Sequence, residues 1–108
     1  MNLGKTIKHL RDNAKLTQQE LARLSNYKSS VSISQFESGN AIPRFDAIVR
    51  ICAALNVSPI EFYLLSCEPE DLYSLSEAKR KYIKGIVTRL GKRIVNESLV
   101  KQAIDEMV

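Results

Sequence analysis

Between Thr17 and Gly39, four side chains have the chemistry to read a nucleic acid. Ser30, Val31, Ser32 and Gln35 fall in one short segment, where only Ile33 and Phe36 ask for a core. A helix with a purely structural role buries a wider apolar stripe. Hydroxyl, amide and methyl groups shown on a protruding helix match what base edges offer in a major groove. Enzymatic chemistry has no comparable constellation. His9 is the single imidazole, and Cys52 and Cys67 fit neither a CxxC nor a Cys/His ligand spacing. No triad, metal centre or cofactor is expected, and no enzyme.

The charge balance suits a polyanionic partner. The 108 residues carry a net charge of +4. Residues 1–66 hold eight Lys/Arg against five Asp/Glu, a surplus of three, while residues 67–108 hold eight against seven, a surplus of one. The excess thus lies where phosphates would have to be neutralised. No run approaches the roughly 18 apolar residues of a membrane span, and the first five residues lack a signal-peptide core. A cytoplasmic protein with reduced thiols is the expectation.

Elements that would position these side chains follow from periodicity and cap signals. Leu3, Ile7, Leu10 and Ala14 predict a first helix over residues 2–14, with Leu16 entering the core after it. Thr17-Gln18-Gln19-Glu20 reads as a capping box opening a second helix with Leu21, Ala22 and Leu24 inward. Ser29 or Ser30 caps a third helix, which stops at Ser38-Gly39. Ile42-Pro43 makes an extended connector. Ile48, Ile51, Cys52 and Leu55 mark a fourth helix. Ser58-Pro59-Ile60-Glu61 opens a fifth, which adds Ile60, Phe62 and Leu64 or Leu65 to the core.

Residues 67–73 read as a linker, and residues 74–108 as an amphipathic helical tail. Ser74-Leu75-Ser76-Glu77 caps a long helix with Leu75, Tyr82, Ile83, Ile86, Val87, Leu90 and Ile94 along one stripe, weakened locally by Gly85 and Gly91. Asn96-Glu97-Ser98 predicts a last, separate helix bearing Leu99, Val100, Ala103, Ile104 and Met107. The cations Lys79, Arg80, Lys81, Lys84, Arg89, Lys92 and Arg93 read first as a solvated face, with a second nucleic-acid site as the alternative.

These residues carry a resemblance. Leu10-Arg11, Leu16-Thr17-Gln18-Gln19-Glu20-Leu21-Ala22, Ile33-Ser34-Gln35-Phe36-Glu37-Ser38-Gly39, Pro43 and Leu55-Asn56-Val57-Ser58 together resemble the Cro/repressor-type (XRE) helix-turn-helix domain of transcription regulators. The resemblance implies an all-α, five-helix, lambda repressor-like domain over residues 1–66, followed by the helical tail. It also implies that Gln18 lies against the sugar-phosphate backbone, with Ser30, Val31 and Gln35 reading bases and Ser29 and Ser32 nearer phosphate. Arg44 is similar to an arginine approaching the backbone near a minor groove, and Thr17, Lys28 and Asn40 complete the DNA-facing set. Arg11 and Glu37 resemble a buried ion pair. The sequence departs from the pattern at Asn26, where a turn glycine is usual. It also has one extra residue between Ala22 and Glu37, which leaves Ser30 against Val31 open as first reader.

The expected function is that of a sequence-specific double-stranded DNA-binding regulator, a repressor acting as a homodimer on a palindromic operator. Its tail would form the dimer or a higher oligomer. Two alternatives stay open. One is the N-terminal part of a longer peptide-responsive regulator. The other is a protein-interaction module such as an antitoxin or anti-repressor.

Overall fold

The computed structural model describes the backbone of residues 1–107 and the side chains of residues 1–93. The chain forms two compact units, Met1–Cys67 and Glu68–Val108. Six α-helices make up the described chain: α1 Leu3–Asn13, α2 Gln18–Leu24, α3 Val31–Ser38, α4 Phe45–Leu55, α5 Pro59–Leu65 and α6 Glu77–Met107. No single helix among the described residues is long and apolar enough to cross a membrane.

In the first unit, α1 lies chiefly on α3, and α2 lies on α3 and α4. The core is made by Ile7, Leu21, Ile33, Ile48, Ile51, Cys52 and Phe62, all at 0–1% exposure. Burying each large aliphatic or aromatic side chain contributes about 1.5–3 kcal/mol, so these few residues outweigh any single polar contact. Burial pushes the Cys52 thiol up to about 11, with the Glu61 carboxylate adding to the rise, so it stays protonated as a small hydrophobe.

Helix ends follow local chemistry. Asn2 caps α1 by accepting from the Lys5 amide, and Ser58 caps α5 by accepting from the Glu61 amide. Gly39 and Asn56 close α3 and α4 in the left-handed region at φ 81° and 57°. Asn26 and Lys15 adopt the same region at φ 64° and 58°, and Asn26 stands where the turn glycine is usual. The two chain ends of the unit are joined by polar groups. The Asn2 amide donates to the Ser66 carbonyl at 3.0 Å, and the buried Ser66 hydroxyl sits 2.9 Å from that of Thr6.

Several expectations are corrected here. Leu24 is 49% exposed, because the buried face of α2 runs through Leu21, Ala22 and Ser25. Leu24 lies about 100° of helix rotation away from the centre of that face. Ile60 is 75% exposed, since it stands two residues, about 200°, from the buried Phe62. Leu3 and Leu16 are only half-buried and Ala14 is exposed. Within residues 67–73, Pro69–Leu72 forms a 3-10 turn. The two expected tail helices are one, as α6 passes through Gly85, Gly91 and Asn96-Glu97-Ser98 without a break. No proline interrupts it, and Glu97, Leu99, Lys101, Gln102 and Ala103 are good helix formers. On its stripe, Ile83, Ile86, Val87 and Leu90 are half-buried and Tyr82 is 69% exposed. The side chains of Ile94, Leu99, Val100, Ala103, Ile104 and Met107 lie outside the described residues.

Gly4 sets how closely α1 and α3 approach. A Cβ there would collide with the Phe36 carbonyl oxygen and lie 3.3 Å from the Glu37 Cα. In an open helix interior, Gly→Ala gains up to about 1 kcal/mol. Gly4→Ala should instead lose of order 1–3 kcal/mol through overpacking, read as a fall in thermal midpoint. A raised midpoint would show that the two helices have room to part.

Candidate nucleic-acid interface

The site begins with the start of α2. Thr17 accepts from the Glu20 amide at 3.1 Å, and its own amide donates to the Glu20 carboxylate at 3.0 Å. The same two groups hold the Glu20 carboxyl below its ordinary range. This reciprocal cap leaves the remaining first-turn amides of α2 pointing outward beside Gln18.

Residues 25–30 then carry the chain to α3. Tyr27, in the lengthened part of this turn, is not solvated filler. Its ring meets Phe36 edge-on at 6.4 Å, and the Arg50 guanidinium stands 4.4 Å over it. Such a stack is worth of order 0.5–1 kcal/mol and ties the turn to both α3 and α4.

α3 opens at Ser30, whose side chain makes no capping bond, while the Ser29 hydroxyl oxygen accepts from the Val31 amide at 3.4 Å. Ile33 is fully buried beneath the helix and Phe36 half-buried. Opposite them, Val31 at 58% exposure, Ser34, Gln35 and Ser38 form an outward row. Val31 and Gln35 thus share one face. Ser30 and Ser32, expected outward, are half-buried, because each stands about 100° from Val31 on the helix. Ser34 was missed by sequence reasoning. Its i+3 spacing from Val31 was the signal that could have found it.

The remaining candidates surround this row at the surface. Thr17, Lys28, Ser29, Asn40 and Arg44 are exposed, and Gln18 is half-buried. Arg44 occupies the N-cap position of α4 in extended backbone. His9 is exposed beside Asn13. Among the described residues, no three His, Cys, Asp or Glu side chains gather as metal ligands would.

Beneath the row lies a polar network. Arg11 Nε donates to Glu37 Oε2 at 2.8 Å and Nη2 to Oε1 at 2.9 Å, a two-pronged pair with side chains only 11% and 4% exposed. Arg11 Nη1 also donates to the Leu16 carbonyl at 2.8 Å, and Gln18 Nε2 donates to Glu37 Oε1 at 3.3 Å. The bond to Glu37 raises the Arg11 pKa despite the opposing effect of burial. Gln18 spends one amide hydrogen on Glu37 and keeps the second for another acceptor.

The fold and this geometry define a helix-turn-helix, and the comparison with known proteins agrees. The helix-turn-helix domain family matches the chain over residues 2–65, so the chain belongs to that DNA-binding family. It is also 40% identical over 57 residues to Multiprotein-bridging factor 1 of Debaryomyces hansenii and to the protein of that name from Candida albicans. The match takes in 53% of this chain and 37% of either relative, so the chain spans little more than a third of their length.

Removing the carboxylate would leave the Arg11 guanidinium, 11% exposed, with only the Leu16 carbonyl and the exposed Asp12 carboxylate at 3.4 Å. Glu37→Ala should therefore cost of order 3–5 kcal/mol, seen in thermal or urea unfolding. A variant that melts like the wild type would show that the pair adds nothing to the fold.

Proposed function

We propose that this protein is a sequence-specific regulator of transcription that binds double-stranded DNA with α3 in the major groove. One observation carries the reading: α3 shows Val31, Ser34 and Gln35 to solvent while its opposite side is fixed by Ile33 and the Glu37 ion pair. A helix held this firmly by so few residues leaves its polar face for a partner. Gln35 has the amide that pairs with adenine, and Val31 an apolar tip for a thymine methyl. Thr17, Gln18, Lys28, Ser29, Asn40 and Arg44 flank them as backbone contacts, with Ser30 and Ser32 at the edges of the row. Gln18 is held by Glu37 so that its second N–H is aimed before DNA arrives.

The protein acts as a homodimer, and its mode of action is repression by occupying promoter DNA. α6 supplies the dimer surface through Ile83, Ile86, Val87 and Leu90, with Tyr82 at the margin and Leu75 and Ile94 continuing the stripe in sequence. A two-fold pair of α3 helices about 34 Å apart would meet successive turns of one face of the duplex. A second reading is favoured by the name of the two fungal relatives, Multiprotein-bridging factor 1. In it the first unit holds DNA and the second holds another protein, so that the chain bridges them.

Gln35→Ala should lower the preference for a selected site over random DNA by about 1–3 kcal/mol with the fold intact. Arg44→Ala should instead weaken binding to both alike and flatten the salt dependence by about one. Titrations in which Gln35→Ala keeps the full preference would remove it from the reading face.

The fragment 1–67 should remain folded, lose the dimer mass and bind the site more weakly than the full chain, measured by solution mass and titration. If the fragment is dimeric and binds as well as the whole, α6 has another purpose and the bridging reading gains.

A further inference from the structure

The second unit holds a basic groove that plays no part in the first unit's site. Pro69, Tyr73, Glu77, Arg80, Lys81 and Lys84 line a groove of about 520 Å³. Residues three and four apart share a helix face, so Glu77, Arg80, Lys81 and Lys84 line up on one side of α6. From Lys79 to Arg93 the sequence has seven Lys/Arg and no Asp/Glu. A solvated, charged helix stabilised by ion pairs interleaves both signs at these spacings, whereas between Glu77 and Arg93 only Glu77 supplies the negative sign. Here Arg80 and Lys84 repel one another at i, i+4, and among the described residues Arg80, Lys81 and Lys84 make no ion pair. Tyr73, 66% exposed, brings a phenol to the same groove.

We propose that the groove of Tyr73, Arg80, Lys81 and Lys84 binds the phosphodiester backbone of duplex DNA. This rests on the DNA-binding reading, which supplies the polyanion. Lysine and arginine donate to phosphate oxygens, and such backbone contacts hold a protein on the duplex without carrying sequence information. A tyrosine hydroxyl is a further donor to a phosphate oxygen. The groove therefore adds affinity and not specificity. It also relieves the repulsion between Arg80 and Lys84.

The test uses the full chain and its triple variant Arg80→Gln, Lys81→Gln, Lys84→Gln, with circular dichroism as the control for folding. Binding to a random duplex of about 30 base pairs is measured between roughly 50 and 300 mM salt. Three lost phosphate contacts should reduce the slope of log K against log salt by about 2.7 and weaken binding at least tenfold at low salt. The preference for a selected site should be unchanged. An unaltered slope in the folded variant, while the wild type binds and the Arg44→Ala variant loses slope, overturns the groove and leaves the α3 reading standing. A wild-type chain without affinity for duplex overturns both. Two further arms decide the ligand. A poly-glutamate peptide held more tightly than duplex, and released by the triple variant, overturns the proposal in favour of an acidic protein. Single strands preferred over duplex, with that preference lost in Tyr73→Ala, overturn it in favour of base stacking.

Discussion

The Glu37 carboxylate is the constraint on which the first unit depends. It stands at the end of α3 with 4% of its side chain exposed, where an unpaired charge would be very costly. Arg11 answers it from α1 with both prongs of its guanidinium, and Gln18 adds a third bond from the first turn of α2. The same Arg11 holds the Leu16 carbonyl in the connection between those helices. Three helices and one loop thus share one buried charge. Replacing both partners by apolar groups of similar volume could be as stable. What the pair adds is direction, because a fork-shaped bond fixes the orientation of α3 as well as its distance.

Gly4 acts at the same place by shape. Its missing Cβ lets α1 reach the backbone of Phe36 and Glu37 at the end of α3. The stack of Tyr27 between Phe36 and Arg50 holds the other side. α3 is only eight residues long and would not persist alone in water. It stays helical because its last turn is clamped from three directions, and so its first turns can present polar side chains to a partner.

Much of this was legible in the residues themselves. The Thr17–Glu20 cap, the Gly39 stop, the Pro59 start and the periodic stripe of α4 are local signals, and local signals survive folding. The family pattern placed Val31 and Gln35 in the region that turns outward. Less legible were features set by the direction in which a short helix faces its neighbours. Leu24 and Ile60 look like core residues by type, yet seven-residue helices leave too little periodicity to define a face. Ser34, on the eight-residue α3, was marked only by its i+3 spacing from Val31. Gly4 gives no signal beyond an apparent weakness in a helix, since the carbonyl it accommodates lies more than thirty residues away in sequence. In the tail, Asn96 and Ser98 carry cap chemistry that the continuous helix overrides.

We propose that this fold serves to hold α3 against a particular DNA sequence. Selection of bound duplexes from a random pool by the full chain tests it most directly. Enrichment of one short sequence repeated with two-fold symmetry is expected, its half-sites about one helical turn, or 10–10.5 base pairs, apart. Recovery of bound DNA with no enriched sequence, from protein shown to be folded, would contradict it and reduce the role of α3 to charge alone.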